Sequence, residues 1–299
     1  MKIVSFSPFG YEGALVQVEV DLRRGIPAVD IVGLADGAVK ESRERMRSAI
    51  RNSGFEFPPE RVLISLSPAD LKKEGAGFDL AIALAVLCEK QKISGEKEFF
   101  KDQTILVMGE LELNGTVRPV RGIHAAAGTA FEQGIRYCIV PALNVEEAKE
   151  VEGITVYGAE SLLQTFNALQ SGEAFSKTES SCKEKKSEIP EDCDVVEGVP
   201  FAHISSGFEF AEVKGQDFLV RGLQIAASGG HHLLAYGSPG CGKTMALQKF
   251  PALLPLLREK DAESVLRIYS IAGLRQPGKT TIRTAPFRQP HQTASIEGI

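Results

Sequence analysis

The stretch "HHLLAYGSPGCGKTMALQKF" (His231–Phe250) sets a glycine-rich turn between an apolar run and an amphipathic segment. Gly237, Ser238, Pro239, Gly240, Cys241, Gly242, Lys243 and Thr244 satisfy G-x-x-x-x-G-K-[ST] at every fixed position. The motif needs a strand before it and a helix after it. "HHLLAYG" reads as a buried strand, and a helix is expected to begin at the end of the loop. The glycines let backbone N–H groups turn inward around phosphate oxygens, and a helix N-terminus adds a positive dipole end. Lys243 is then expected to reach the β- and γ-phosphates of ATP, and the Thr244 hydroxyl to ligate Mg²⁺. Cys241 reads as a small filler in the loop. Hydrolysis asks for more, because a second strand ending in acidic residues must hold the metal and polarise water. After Thr244 no apolar run ends in Asp-Glu, and "AESVLRIYSIAG" carries its acid before the apolar residues.

Just upstream, "GQDFLVRGLQIAASGG" (Gly215–Gly230) reads as a helix with Phe218, Leu219, Leu223 and Ile225–Ala227 facing inward. His231 and His232 then end the helix-to-strand turn rather than ligate metal. Downstream, "EKDAESVLRIYSIAGL" (Glu259–Leu274) is a further helix, and the remainder is loop punctuated by Gly and Pro, with room for one hairpin.

The first half alternates strand and helix patterns. "ALVQVEVDL" (Ala14–Leu22) has period two, "AVDIVGL" (Ala28–Leu34) is a second strand and "RVLISLSP" (Arg61–Pro68) a third. Between them "DGAVKESRERMRSAIRNSG" puts Val39, Met46 and Ile50 on one helical face, with Gly54 suited to the end of the helix. "FDLAIALAVLCEKQ" (Phe78–Gln91) is apolar nearly all round, which predicts a helix covered on most sides. Asn114-Gly115 inside "ILVMGELELNGTVRPV" predicts a hairpin. "GIHAAAGTAFEQG", "YCIVP", "NVEEAKEV" and "GITVYGAESLLQTFNALQSG" continue as helix, strand, helix, then strand and helix.

"EAFSKTESSCKEKKSEIPEDCD" (Glu173–Asp194) is highly charged and lacks periodicity, which reads as a flexible linker. Over 299 residues the net charge is −5, which argues against a chain-wide nucleic-acid footprint and leaves room for a local basic patch. The cysteines at 88, 138, 182, 193 and 241 have no metal-ligand spacing and read as free thiols of a reducing cytoplasm. "MKIVSFSPFG" has no secretory h-region. The most apolar run, Leu80–Cys88, is too short to span a bilayer.

These residues resemble the YifB/ComM family, magnesium-chelatase-like AAA+ proteins. The likeness spans nearly the whole chain, through "VDIVGLADGAVKESRERMRSAI", "SPADLKKEGAGFDLAIAL", "GELELNGTVRPVRG", "VKGQ", "IAASGGHHLL", "GSPGCGKTM", "IYSIAGL" and "PFRQPHQT". It implies an α/β fold class: an α+β Lon-protease-like domain at 1–172, a linker at 173–195, and the start of a P-loop AAA+ domain at 196–299. It also implies ATP and Mg²⁺ as cofactors, a cytoplasmic setting, and no membrane partner. Full-length members resemble hexameric DNA-remodelling helicases of branch migration, so DNA and further copies of the chain are the implied partners. Two other readings stand beside this one: a magnesium-chelatase-like motor subunit, and a non-enzymatic interaction module. The family favours a basic residue at Ala285 and a second His at Gln292. Its members continue beyond Ile299, so the chain looks like the front part of such a protein. ATP turnover is expected of the full-length form and not of these 299 residues alone. His291 belongs to the family's "PFRQPHQT" segment.

Lon-like peptidases resemble "EGAGFDLAIAL" and "GELELNGTVRPVRGIHAAAGTA" as well. Their nucleophilic Ser falls on Gly77 here, and their Lys on His124. A Ser–Lys dyad needs a hydroxyl and an amine within hydrogen-bond reach, so the domain is expected to be inactive as a protease. Ser65 and Ser67 read as strand packing or cap groups. Arg43, Arg45, Arg47 and Arg51 share a helix with Glu41 and Glu44; a solvated, salt-bridged surface is the default reading and a nucleic-acid face the alternative. Lys72 and Lys73 lack a glycine-rich strand-to-helix turn around them.

Overall fold

The computed structural model describes residues 1–9, 12–91, 103–171, 193–202, 213–274 and 283–288. Most of the predicted linker lies outside them, as do Cys182, His291 and Gln292. Contacts divide the chain into two units, Met1–Cys182 with Leu266–Pro277, and Lys183–Val265 with Gly278–Ile299.

In the first unit the chain runs β1 (Lys2–Phe9), β2 (Glu12–Arg23), β3 (Val29–Val32), α1 (Gly37–Asn52), β4 (Arg61–Ser67), α2 (Asp79–Lys90) and β5 (Thr104–Val107). It continues through β6 (Glu110–Leu111), β7 (Val117–Arg118), α3 (Ile123–Glu132), β8 (Tyr137–Pro141), α4 (Val145–Lys149), β9 (Thr155–Ala159) and α5 (Leu162–Ser171). Seven strands make one mixed sheet in the order β3-β4-β2-β1-β5-β8-β9. The pairs β3–β4, β1–β5, β5–β8 and β8–β9 are parallel, and β2 is antiparallel to both of its neighbours. The fold class is α/β.

Period-two alternation sends neighbouring residues to two separate cores, one on each face of the sheet. Ile3, Val16, Val18, Ile105 and Ile139 pack with residues of α1, α2 and α5. Val4, Phe6, Leu106, Cys138 and Val140 pack with residues of α3 and α4. Every residue of α2 from Asp79 to Leu87 is buried, as its all-round apolar sequence requires.

Strand β1 has no counterpart in the sequence reading, although it sits at the centre of the sheet. Its residues from Ile3 to Ser7 are all buried, and a strand covered on both faces loses the polar alternation by which strands are recognised. Likewise "TILV" belongs to the main sheet as β5 rather than to the hairpin. The hairpin itself is β6–β7, with Gly115 at φ +89° and Asn114 Oδ1 accepting the Thr116 N–H at 2.8 Å. Helix α1 is capped as its sequence suggests: Asp36 Oδ1 accepts the Val39 N–H at 2.8 Å, and Gly54 follows the C-cap Ser53 at φ +84°.

The second unit contains β10 (Cys193–Val196) paired with β11 (Val199–Ala202), α6 (Asp217–Gly229), α7 (Lys243–Gln248) and α8 (Glu259–Ala272), whose last turns are grouped with the first unit. Its buried centre is Val213, Leu223 and Ala246, flanked by Leu219, Val220, Leu247, Phe250 and Leu253. Two expectations are corrected here. "HHLLAYG" is not a buried strand: residues 231–237 are irregular, with Leu234 87% and Tyr236 91% exposed. A strand exists only where a neighbour takes its backbone hydrogen bonds, and among the described residues none pairs with this run. In α6, Leu223, Ala226 and Ala227 are buried as expected, but Phe218 is 95% exposed and Ile225 also faces outward. Helical rotation carries those two off the Leu223 face.

Candidate phosphate-binding loop

Helix α6 ends at Gly230, in the left-handed region, and the His231 N–H bonds back to the Ala226 carbonyl at 2.9 Å. The two histidines therefore follow the end of the helix, but they lead into the irregular run before the loop rather than into the expected strand. The loop then turns three times on glycine, with Gly237 at φ +154°, Gly240 at +81° and Gly242 at +82°. Side-chain-bearing residues avoid such angles. Gly242 caps α7, which starts at Lys243.

Lys243 folds back over the turn. Its Nζ donates to the Gly237 carbonyl at 2.9 Å and the Ser238 carbonyl at 2.8 Å, with Cys241 Sγ at 3.4 Å. The ammonium is thus held at the loop mouth by the loop's own backbone. Cys241 is half-buried against that amine. Ser238, Pro239 and Gly240 are exposed, and so is Thr244 on the first turn of α7. Of the eight motif residues, Lys243 meets Gly237, Ser238 and Cys241, and Thr244 follows it on α7. Their chemistry fits a polyphosphate with its magnesium: free-turning backbone amides, one ammonium and one hydroxyl within a single turn.

In the first unit the two positions aligned with a peptidase dyad lie on separate elements. Gly77 is in the short turn of helix before α2, and its carbonyl accepts the Gly109 N–H at 3.0 Å. His124 is buried on α3; its backbone N–H donates to Glu147 Oε1 at 3.1 Å, and its Nδ1 lies 3.7 Å from Glu150 Oε2. Neither supplies the hydroxyl or the amine of such a dyad. Ser65 lies half-buried and Ser67 exposed on β4. Lys72 is exposed and paired with Glu74 at 2.5 Å. Lys73 is wholly buried and donates to the Pro68 and Leu71 carbonyls, the latter at 2.7 Å. This structural role of Lys73 is not legible in the sequence, since burial of a lysine leaves no local pattern. Cys88, Cys138 and Cys241 are free thiols. Burial pushes those of Cys88 and Cys138 up to about 12. Among the described residues, no helix is long and apolar enough to cross a membrane.

Comparison with known proteins matches residues 18–144 to the family described as subunit ChlI of Mg-chelatase, and residues 209–299 to magnesium chelatase, subunit ChlI. Over 290 residues the chain is 36% identical to YifB of Escherichia coli, covering 97% of this chain and 53% of that protein. It is 31% identical over 299 residues to the competence protein ComM of Haemophilus influenzae, covering 99% of this chain and 55% of ComM. Shorter stretches are similar to a Lon protease of Lachnoclostridium phytofermentans, 26% identical over 50% of this chain and 18% of the protease. Another stretch is 30% identical to the DNA repair protein RadA of Salmonella typhimurium, over 39% of this chain and 24% of RadA. The chain spans about half the length of the curated relatives that match it throughout.

Proposed function

The chain belongs to the magnesium-chelatase-type family that includes YifB and ComM, and on that premise we propose that residues Gly237–Thr244 bind Mg-ATP. The observation that carries this is the position of Lys243 Nζ, held 2.9 and 2.8 Å from the Gly237 and Ser238 carbonyls over a loop with three glycines at positive φ. Lys243 would meet the β- and γ-phosphate oxygens, backbone N–H groups the remaining ones, and the Thr244 hydroxyl the Mg²⁺. Bound Mg-ATP supplies the phosphoryl group for transfer; the residues of this chain bind and orient it. The sequence after Thr244 has no apolar run ending in paired acids, so a polypeptide of these 299 residues should release phosphate only at background.

For the whole protein we read a cytoplasmic, ring-forming, DNA-remodelling motor. Support comes from likeness to a competence protein and to a DNA repair protein. The domains in that reading are 1–172, 173–195 and 196–299, the first a scaffold rather than a peptidase. The family description itself favours a second reading, a motor subunit of a metal-inserting enzyme, which copurification with a porphyrin-binding partner would support.

The test is ATP titration by calorimetry, with and without Mg²⁺, beside a phosphate-release assay on the parent, Lys243→Ala and Thr244→Ala. Lys243→Ala should abolish binding, and Thr244→Ala should weaken the Mg²⁺ dependence. Binding untouched by Lys243→Ala would overturn the assignment. Robust turnover lost on Lys243→Ala would mean that an acid such as Asp261 or Glu263 completes the site.

A further inference from the structure

Helix α1 carries a basic stripe that the phosphate loop does not explain. Lys40, Arg43, Arg47 and Arg51 recur every three or four residues, which confines them to an arc of about 80° and spreads them over about 16 Å of helix. Lys40, Arg43 and Arg51 are exposed, and Arg47 is half-buried with its guanidinium 5.6 Å from the centre of the Phe57 ring. Arg45, one of the cluster marked in the sequence, is not part of the stripe, because it turns inward to Asp79 at 2.7 Å. Among the described residues Lys40, Arg47 and Arg51 make no ion pair. The acids nearby are spoken for or displaced: Glu44 pairs with Arg43 at 3.1 Å, Glu41 faces Arg45 at 3.7 Å, and Asp30 is held by Arg61 at 2.7 Å.

The N-terminal end of the stripe opens into a groove of about 540 Å³ between α1 and the sheet edge formed by β3. Lys40 and Arg43 line the groove together with Arg61, which is paired with Asp30 there, and its apolar lining includes Ile31, Val32 and Leu63. Cations at one per helical turn beside an apolar floor suit a polymer with evenly spaced charges and flat apolar faces between them. We infer that this stripe and groove hold a single strand of nucleic acid, phosphates on Lys40, Arg43, Arg47 and Arg51, and bases or sugars toward the groove floor. A duplex keeps its base faces stacked inside the helix, whereas a single strand can turn them to the floor, and an acidic peptide has no flat faces between its charges. The inference shares its polymer with the motor reading above, but its test needs no nucleotide, so either can fail alone.

The experiment is fluorescence anisotropy of a labelled mixed-sequence single-stranded oligonucleotide with the 299-residue chain, without ATP, from about 50 to 200 mM salt. The variant Lys40→Gln/Arg43→Gln/Arg51→Gln removes three exposed cations and keeps good helix formers. Arg24→Gln/Arg118→Gln/Lys149→Gln makes the same charge change elsewhere on the first unit. Circular dichroism and a thermal melt confirm that both stay folded. The stripe variant should bind at least tenfold more weakly, with a salt slope shallower by about 2, since each single-strand phosphate contact contributes about 0.7. The control variant should bind within twofold of the parent. Equal losses in the two variants, no binding by the parent, or polyglutamate competing as well as DNA at equal charge would each overturn the inference.

Discussion

Arg45 Nε lies 2.7 Å from Asp79 Oδ2, and the Asp79 carboxylate is fully buried. The same carboxylate accepts from Ser42 Oγ, from Arg45 Nη2 at 3.1 Å and from the Leu111 N–H at 3.2 Å. It therefore ties α2 to α1 and to β6. The hydrogen bond from Arg45 to Asp79 is the main reason its guanidinium is raised further above the ordinary arginine value. Removing one partner of such a pair strands the other. Asp79→Ala should lower unfolding stability by about 3 kcal/mol, and Asp79→Leu with Arg45→Met should recover part of that. Urea denaturation followed by circular dichroism measures both; a loss below about 1 kcal/mol for Asp79→Ala would show the knot to be dispensable.

Burial of Lys73 pushes its ammonium below the ordinary 10.5, with the charge of Asp70 opposing. Below the lowered folded value both states hold the proton. Between that value and 10.5 the unfolded chain holds a proton that the folded chain has released, so stability rises with pH there. Parent minus Lys73→Met, in urea melts at stepped alkaline pH, should shift in favour of the parent as pH climbs toward 10.5, then level off. A difference that stays flat across that window sinks the claim.

Gly240 sits at φ +81°, and a Cβ there would meet nothing within 4 Å. The demand for glycine is thus conformational and not steric. A left-handed alanine costs about 1–2 kcal/mol, so Gly240→Ala should weaken ATP binding about tenfold. Gly240→Asn should lose less, because Asn tolerates that region. Equal losses by calorimetry would point instead to crowding by the bound nucleotide.

A Cβ on Gly77 would meet Met108 Cε at 3.7 Å and Val120 Cγ1 at 4.0 Å, both ordinary contacts. Gly77→Ser should therefore fold, with stability within about 1 kcal/mol of the parent. It should cut no fluorogenic peptide, and neither should the parent, since the partner position holds buried His124 rather than an amine. Cleavage by the parent above a blank would place a nucleophile elsewhere in the chain.

The sequence alone determined whatever rests on local periodicity and on fixed spacing. It marked the capped helix from Gly37, the all-apolar helix from Asp79, the Asn114-Gly115 turn and the glycine turn that leads into the helix at Lys243. Each depends on residues within a few positions of one another, so no distant partner had to be known. Tertiary structure alone decided the rest. Strand β1 is hidden in sequence because both of its faces are covered by helices far along the chain. Residues 231–237 have the composition of a strand and none of its pairing. Arg45 reads as a surface cation, but the carboxylate of Asp79 draws it inward, and the carbonyls of Pro68 and Leu71 hold Lys73 in the interior. A charge is buried only where the fold brings its partner, and composition cannot show which of two lysines or four arginines will find one.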